Sequence, residues 1–121
     1  MTHTALLNAF LQRIASGDSP RFAETLALIE QCYHYQPTAF DNGLGEGQVH
    51  NDANSNQGSC KVFSFAKAHD LSEQQTLQLF GEHHQHVLET PEGSDHANIR
   101  AFMRHGWAGI CWHGQALTPK T

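Results

Sequence analysis

The chain has 121 residues, the size of one ordinary domain with a single core. Twelve acidic and seven basic residues give a formal charge of −5, so nucleic acid and anionic membranes are predicted to be poor electrostatic partners. Ten histidines could add positive charge as the pH falls toward about 6. The sequence contains no run of about 18 apolar residues, so we predict no membrane span.

Cys32, Cys60 and Cys111 are odd in number and include no C-x-x-C pair. This pattern argues against a disulfide scaffold and fits a reducing compartment. The N-terminus lacks the basic and apolar regions of a Sec signal peptide, so we expect a protein that is cytoplasmic in the producing cell. Type III export leaves no such mark on a sequence.

Apolar periodicity predicts two helices near the N-terminus. The first runs from Thr4 to about Ala15, with apolar residues spaced to form one stripe. Ser19 is the predicted cap of the second, with Pro20 at its first position, and this helix reaches about Tyr33. The short connection between them predicts an antiparallel helical hairpin.

Between His34 and Gly58 the periodicity stops. Turn residues such as Asn42-Gly43 predict a loop of roughly twenty residues, and loops of this length are commonly functional or disordered. Its aromatic residues, Tyr35 and Phe40, indicate that it is ordered.

Three further helices are predicted after this loop. The third spans about 60–69, with Ser59 as its cap. The stretch 62–65 is also rich in residues that favour β-strands, so a strand there is the alternative. Ser72 and Gln75 form a capping-box pattern at the start of the fourth.

The fourth helix is predicted to continue through Gly81, where a glycine costs about 1 kcal/mol relative to alanine. This cost indicates the close approach of another element. Ser94 or Asp95 is the predicted cap of the fifth helix, and Gly106 ends it. The residues of this helix predicted to face the core are Ile99, Phe102 and Met103.

The stretch 107–113 is predicted to form a strand that pairs with the extended part of 33–40, and 118–121 is predicted to be a frayed tail. Together these elements predict one α+β domain over residues 1–121. It is predominantly helical, with about five helices, a long loop rich in Gly and Asn, and a small two-stranded sheet.

Several distinctive segments occur along almost the whole chain: Tyr35-Gln36-Pro37-Thr38-Ala39-Phe40, Asn42-Gly43, 54–61, 76–81, 91–93, 95–100 and Gly106-Trp107-x-Gly109-Ile110. In this order they resemble the HopJ family of type III effector proteins. The resemblance implies a small, mainly helical protein linked to type III translocation, and it implies no particular reaction.

Two of these segments, 54–61 and 95–100, are dense in small polar and ionisable side chains, and the helices between them could fold one onto the other. We therefore predict a polar site that binds a small anionic ligand or a protein partner. Arg100 could hold a carboxylate or phosphate in a bidentate manner. The same residues could instead tie the loop to the fifth helix as a structural lock. The candidate ligand-binding residues are Asn54, Asn56, Ser59, Asp95, Asn98 and Arg100.

A catalytic alternative uses Cys60 as a nucleophile and His96 as its base, in a hydrolase or transferase. Cys60 is predicted to lie in the first turn of a helix, where the backbone N–H groups and Lys61 favour a thiolate. The alternative to this role is a small buried hydrophobic residue.

A metal alternative uses His83, His86 and His96, with Asp95 as another possible ligand and His50 and Asp52 as further donors from the loop. No known ligand signature such as H-E-x-x-H matches the chain. The primary prediction therefore includes no metal and no cofactor, and it leaves the oligomeric state open.

Overall fold

The computed structural model describes residues 3–120, and within them six α-helices alternate with five short strands and two 3-10 helices. The helices are α1 (His3–Ala15), α2 (Phe22–Cys32), α3 (Gln57–Ala68), α4 (Glu73–Gln78), α5 (Glu82–Glu89) and α6 (Ala97–His105). The strands are β1 (Tyr33–Tyr35), β2 (Phe40–Asn42), β3 (Val49–Asn51), β4 (Cys111–Trp112) and β5 (Leu117–Pro119). The 3-10 helices are Gly45–Gly47 and Gly106–Gly109. The predicted α+β, mainly helical class is confirmed.

Helix α3 runs through the core. Its Phe63 is fully buried, and its ring lies 5.0–6.4 Å, centroid to centroid, from four other aromatic rings. These rings come from β2, the α4–α5 junction, α6 and the second 3-10 helix, so one side chain contacts most layers of the domain. The four are Phe40, Phe80, Phe102 and Trp107.

Two small antiparallel sheets flank the helices. One pairs β1 with β5, and the other has the order β3-β2-β4. In the second sheet Asp41 lies opposite both His50 and Cys111. The predicted loop over 34–58 therefore contains strands, and the predicted frayed tail lies partly in β5, because pairing with distant segments holds both in place.

The starts of three helices differ from those predicted from the sequence. Helix α2 begins at Phe22 rather than at Pro20, since Arg21 is extended where it packs against Gly81. Helix α3 begins two residues before Ser59, and helix α6 follows His96 rather than Ser94 or Asp95.

Two side-chain expectations also have different outcomes. Met103 is 43% exposed and does not face the core as predicted. Gly106 ends α6 with a φ of 62°, which confirms the predicted C-terminal glycine.

The predicted fourth helix is two helices, because the chain breaks at Gly81. This residue has a φ of 55° and a ψ of −124°, a conformation that other residues rarely adopt. A Cβ atom at this position would overlap the Pro20 carbonyl oxygen and lie 2.9 Å from the Phe22 backbone nitrogen. The close approach predicted from the glycine is therefore present.

We expect Gly81→Ala to lower the free energy of unfolding by at least about 2 kcal/mol, because it adds both backbone strain and an overlap with Pro20. Urea denaturation measures this change. Gly17→Ala is the matched control, since Gly17 also has a positive φ but a Cβ added there would meet no atom within 4 Å. Equal losses in the two variants would contradict the packing role of Gly81.

Candidate functional site: a cavity between two helix starts

The first turns of α3 and α6 line one cavity of about 320 Å³. Helix α5 and the start of α2 form its other walls. The two segments that the sequence predicts to come together therefore do so, although only some of their residues face the cavity. Its lining residues are Phe22, Asn56, Gly58, Ser59, Phe80, His83, His96, Ala97, Asn98 and Ile99.

A network of asparagine amides, buried at Asn42, Asn51 and Asn98, holds these two segments together. Asn98 Nδ2 donates to Asn51 Oδ1 at 2.8 Å, and Asn98 Oδ1 accepts from Asn51 Nδ2 at 3.1 Å and from Asn42 Nδ2 at 3.0 Å. Asn56 Nδ2 also donates to Asn51 Oδ1, at 2.7 Å. The network thereby connects β2, β3 and the starts of α3 and α6.

The residues that precede the two helices share an uncommon backbone conformation. Asn56 before α3 and His96 before α6 are both left-handed, with φ 51° and ψ 45° for Asn56 and φ 51° and ψ 48° for His96. Within residues 3–120 neither helix has a side-chain cap or an acidic residue in its first turn. Since the first backbone N–H groups of a helix have no partner inside it, both helix starts leave donors available near the cavity.

Two histidine rings form one side of the cavity. The rings of His83 and His96 lie 4.9 Å apart, and the His83 ring packs edge-on against Phe22 at 4.7 Å. Burial lowers the pKa of His96, and the nearby His83 lowers it further. Both imidazoles are close enough to meet the same small ligand.

Three predicted ligand-binding residues line the cavity, and three do not. Asn56, Ser59 and Asn98 contribute to its wall, although the Asn98 amide is already used by the network. The exposed Asn54 does not line the cavity.

Arg100 and Asp95 make the contacts of the structural lock that the sequence left as the alternative to a ligand site. The Arg100 guanidinium donates to the Thr90 and Asp95 carbonyl oxygens at 2.7 and 2.6 Å, to the Thr90 hydroxyl at 3.0 Å and to the Asp95 carboxylate at 2.7 Å. The hydrogen bond from Arg100 is the main reason that the pKa of the Asp95 carboxyl group lies below its usual range. Arg100 therefore fixes the turn before α6.

The structure places Cys60 in the core rather than at a reactive surface. Its side chain is fully buried, and its Sγ donates to the Thr38 carbonyl oxygen at 3.4 Å. Burial raises the pKa of the thiol, which is the opposite of the lowered value that a nucleophile needs. The expected exposed thiolate is not found, so the geometry does not favour Cys60 and His96 as a catalytic pair.

The three histidines of the metal alternative, His83, His86 and His96, do not form one group of potential ligands. Ligand atoms of His86 and His96 lie within 4.8 Å of one another and of an Asp95 carboxylate oxygen, whereas His83 is not part of this group. The Asp95 carboxylate is already shared between Arg100 and His86, at 2.7 and 3.0 Å.

Two cavity residues outside the predicted segments, Phe22 and Phe80, and two network residues, Asn42 and Asn51, were not predicted from the sequence. Phe22 and Phe80 are apolar positions that the helical pattern assigns simply to the core, and their rings lie 6.0 Å apart in a stacked arrangement. Asn42 and Asn51 are fully buried, but in the sequence they resemble ordinary turn residues.

Comparison with known proteins agrees with the resemblance seen in the sequence. The family described as HopJ type III effector protein matches residues 7–117. The chain belongs to the HopJ family. The family's description names type III effectors and states no reaction.

A solved crystal structure of VPA0580, a protein of unknown function, has the same fold as this HopJ family member. The TM-score is 0.88 at 44% sequence identity, over 94% of this chain and 93% of VPA0580. None of the curated proteins compared with the chain matches it. Within residues 3–120 no helix combines the length and apolar character needed to cross a membrane.

We expect Asn98→Ala to lower the free energy of unfolding by about 2–4 kcal/mol, because three amide hydrogen bonds are lost and their partners stay buried. Urea denaturation measures the loss. Asn54→Ala is the control and should change stability by less than about 0.5 kcal/mol, since Asn54 is exposed. A neutral Asn98→Ala would contradict the structural role of the network.

For Cys60 we expect slow alkylation by iodoacetamide at neutral pH until denaturant unfolds the protein, since the thiol is buried and its pKa is raised. The exposed Cys111 provides an internal control and should react first. Peptide mapping by mass spectrometry distinguishes the two sites. Rapid labelling of Cys60 in the folded protein would return the thiol to consideration as a nucleophile.

Proposed function

We propose that this HopJ family member binds a small anionic ligand, carrying a carboxylate or a phosphate, in the cavity between α3 and α6. The observation that carries the proposal is that two helix starts without side-chain caps adjoin one cavity, which Gly58, Ser59, Ala97 and Asn98 help to line. Backbone N–H groups and the helix dipoles at such ends favour negative charge.

The chemistry of the walls supports an anion over a cation. The first turns of α3 and α6 contain no acidic residue, and the imidazoles of His83 and His96 can each donate a hydrogen bond through a ring N–H group. A cation near His96 would meet the positive end of α6 and would compete with Arg100 for Asp95. For these reasons the metal alternative at His83, His86 and His96 has less support.

The size of the cavity and its apolar side limit the ligand further. A volume of about 320 Å³ lies at the lower end of the range for small-molecule sites. Phe22, Phe80 and Ile99 contribute apolar surface to the same cavity. A ligand with one anionic group and a small apolar part fits this lining better than a bare ion.

The binding role does not require a thiol, and Cys60 is buried and does not line the cavity. We place the activity in the cytoplasm of the producing cell, or in a target cell after type III translocation. A protein partner that presents a carboxylate to the cavity would use the same donors.

We expect Ser59→Asp to weaken binding of inorganic phosphate at least tenfold, or about 1.4 kcal/mol, because its carboxylate would occupy the donors at the start of α3. The same carboxylate should not reduce the stability of α3, since a negative charge in a first turn is favourable. Binding is followed by ¹H–¹⁵N NMR titration with phosphate. The largest shifts in the native protein should fall on Gly58, Ser59, Ala97 and Asn98.

Ser55→Asp is the matched control for charge. It adds the same carboxylate at an exposed position in the preceding turn, outside the cavity wall, and should keep most of the affinity. Equal weakening in both variants would mean that net charge alone controls binding. Phosphate shifts confined to other parts of the chain would contradict the proposed site.

A further inference from the structure

The sheet formed by β3, β2 and β4 brings three potential metal ligands together on one face, and a fourth, His113, directly follows β4. Asp41 is on the central strand, and its cross-strand partners are His50 on β3 and Cys111 on β4. Directly opposed residues of antiparallel strands project from the same side of a sheet. The neighbours of Asp41 on β2, Phe40 and Asn42, are fully buried on the other side.

The side chains of this face lie close to one another. His50 Nδ1 is 2.5 Å from Asp41 Oδ1, and His113 Nε2 is 2.9 Å from Asp41 Oδ2. One ligand atom from each of Asp41, Cys111 and His113 lies within 4.8 Å of the other two. His50 adjoins this group through its contact with Asp41, so the cluster offers one sulfur, two nitrogens and one carboxylate.

We propose that Asp41, His50, Cys111 and His113 form a binding site for a transition-metal ion of the Zn²⁺ class. Thiolate and imidazole are ligands that Zn²⁺ prefers, whereas Mg²⁺ and Ca²⁺ prefer sites made of oxygen atoms. Four ligands of this kind match the tetrahedral coordination of zinc. Nothing in the family description or in the comparison with VPA0580 assigns a metal to this chain.

The geometry needs only a small adjustment to hold the ion. Tetrahedral zinc with bonds of about 2.0–2.3 Å places its ligand atoms roughly 3.3–3.8 Å apart. The ligand atoms of Asp41, Cys111 and His113 lie within 4.8 Å of one another, so shifts of about 1 Å bring these three to that spacing. The ring nitrogens of His50 and His113, now 2.5 and 2.9 Å from the Asp41 oxygens, move slightly away from them. Binding releases the Cys111 thiol proton to solvent and breaks the hydrogen bonds from the imidazoles to Asp41.

Asp52 supplies the outer contact that metal-bound histidines commonly have. Its carboxylate lies 3.0 Å from His50 Nε2, the ring nitrogen that faces away from Asp41. Such a carboxylate fixes the orientation of an imidazole ligand and raises its basicity. His50 is thereby set to present Nδ1 to the ion.

The site is open to solvent and separate from the cavity between α3 and α6. His50, Cys111 and His113 are exposed, so an ion can enter without unfolding the domain, and substitutions there should leave the fold intact. None of the four ligands lines the cavity. The metal site can therefore be correct whether or not the cavity binds an anion.

The test is titration of the metal-free, full-length protein with Zn²⁺ against a chromophoric chelator, and with Co²⁺ by absorption spectroscopy. The proposal predicts one equivalent of bound zinc and a thiolate-to-cobalt charge-transfer band. Cys111→Ser should remove the band and weaken zinc binding at least tenfold, and His113→Gln should weaken it similarly. Circular dichroism checks that each variant is folded.

Two exposed histidines elsewhere provide matched controls. His34→Gln and His86→Gln should leave the zinc affinity and the cobalt band unchanged. The proposal is overturned if the native protein binds no zinc above the level of Cys111→Ser. It is also overturned if His86→Gln, rather than His113→Gln, causes the loss, since the ion would then bind beside Asp95.

Discussion

The hydrogen-bonded amides of Asn42, Asn51, Asn56 and Asn98 are the constraint on which the candidate site depends. They are the link between two segments that are more than forty residues apart in the chain and that begin different helices. Buried amides without partners would cost free energy, so the network favours one arrangement of the two helix starts. The left-handed Asn56 and His96 then turn the chain into α3 and α6 beside the same cavity.

The lock at Arg100 extends this arrangement to the turn before α6. Its guanidinium donates four hydrogen bonds to Thr90 and Asp95, so it fixes the backbone that leads into His96. The structural interpretation of the polar segments therefore describes Arg100 and Asp95, and the proposed ligand site uses other residues of the same segments. The asparagine amides and the Arg100 guanidinium hold the backbone of the two helix starts in place beside the cavity.

Local sequence patterns were sufficient to predict the parts of the fold that depend on neighbouring residues. Apolar periodicity placed α1, the Ser72 and Gln75 capping box marked the start of α4, and Gly81 indicated a close approach. The same signals failed where a distant segment decides the conformation. The extended Arg21 that delays α2 packs against Gly81, sixty residues further along the chain.

The residues of the candidate sites likewise include some that the sequence could indicate and some that depend on distant segments. The segments 54–61 and 95–100 could be identified from their composition, but composition could not show that Arg100 is bonded to Asp95 while Ala97 lines the cavity. The cluster around Asp41 could not be predicted from spacing. Asp41 and His113 are 72 residues apart and meet only because β2 pairs with β4.

The most direct test of the central claim is a crystal structure of the protein grown with tungstate, a tetrahedral anion with strong anomalous scattering. We predict an anomalous peak in the cavity, within hydrogen-bond distance of backbone N–H groups from the first turns of both α3 and α6. The Asn98 network should be unchanged beside it. An ordered, empty cavity at saturating tungstate, or a peak only at other surfaces, would contradict the account of these helix starts as an anion site.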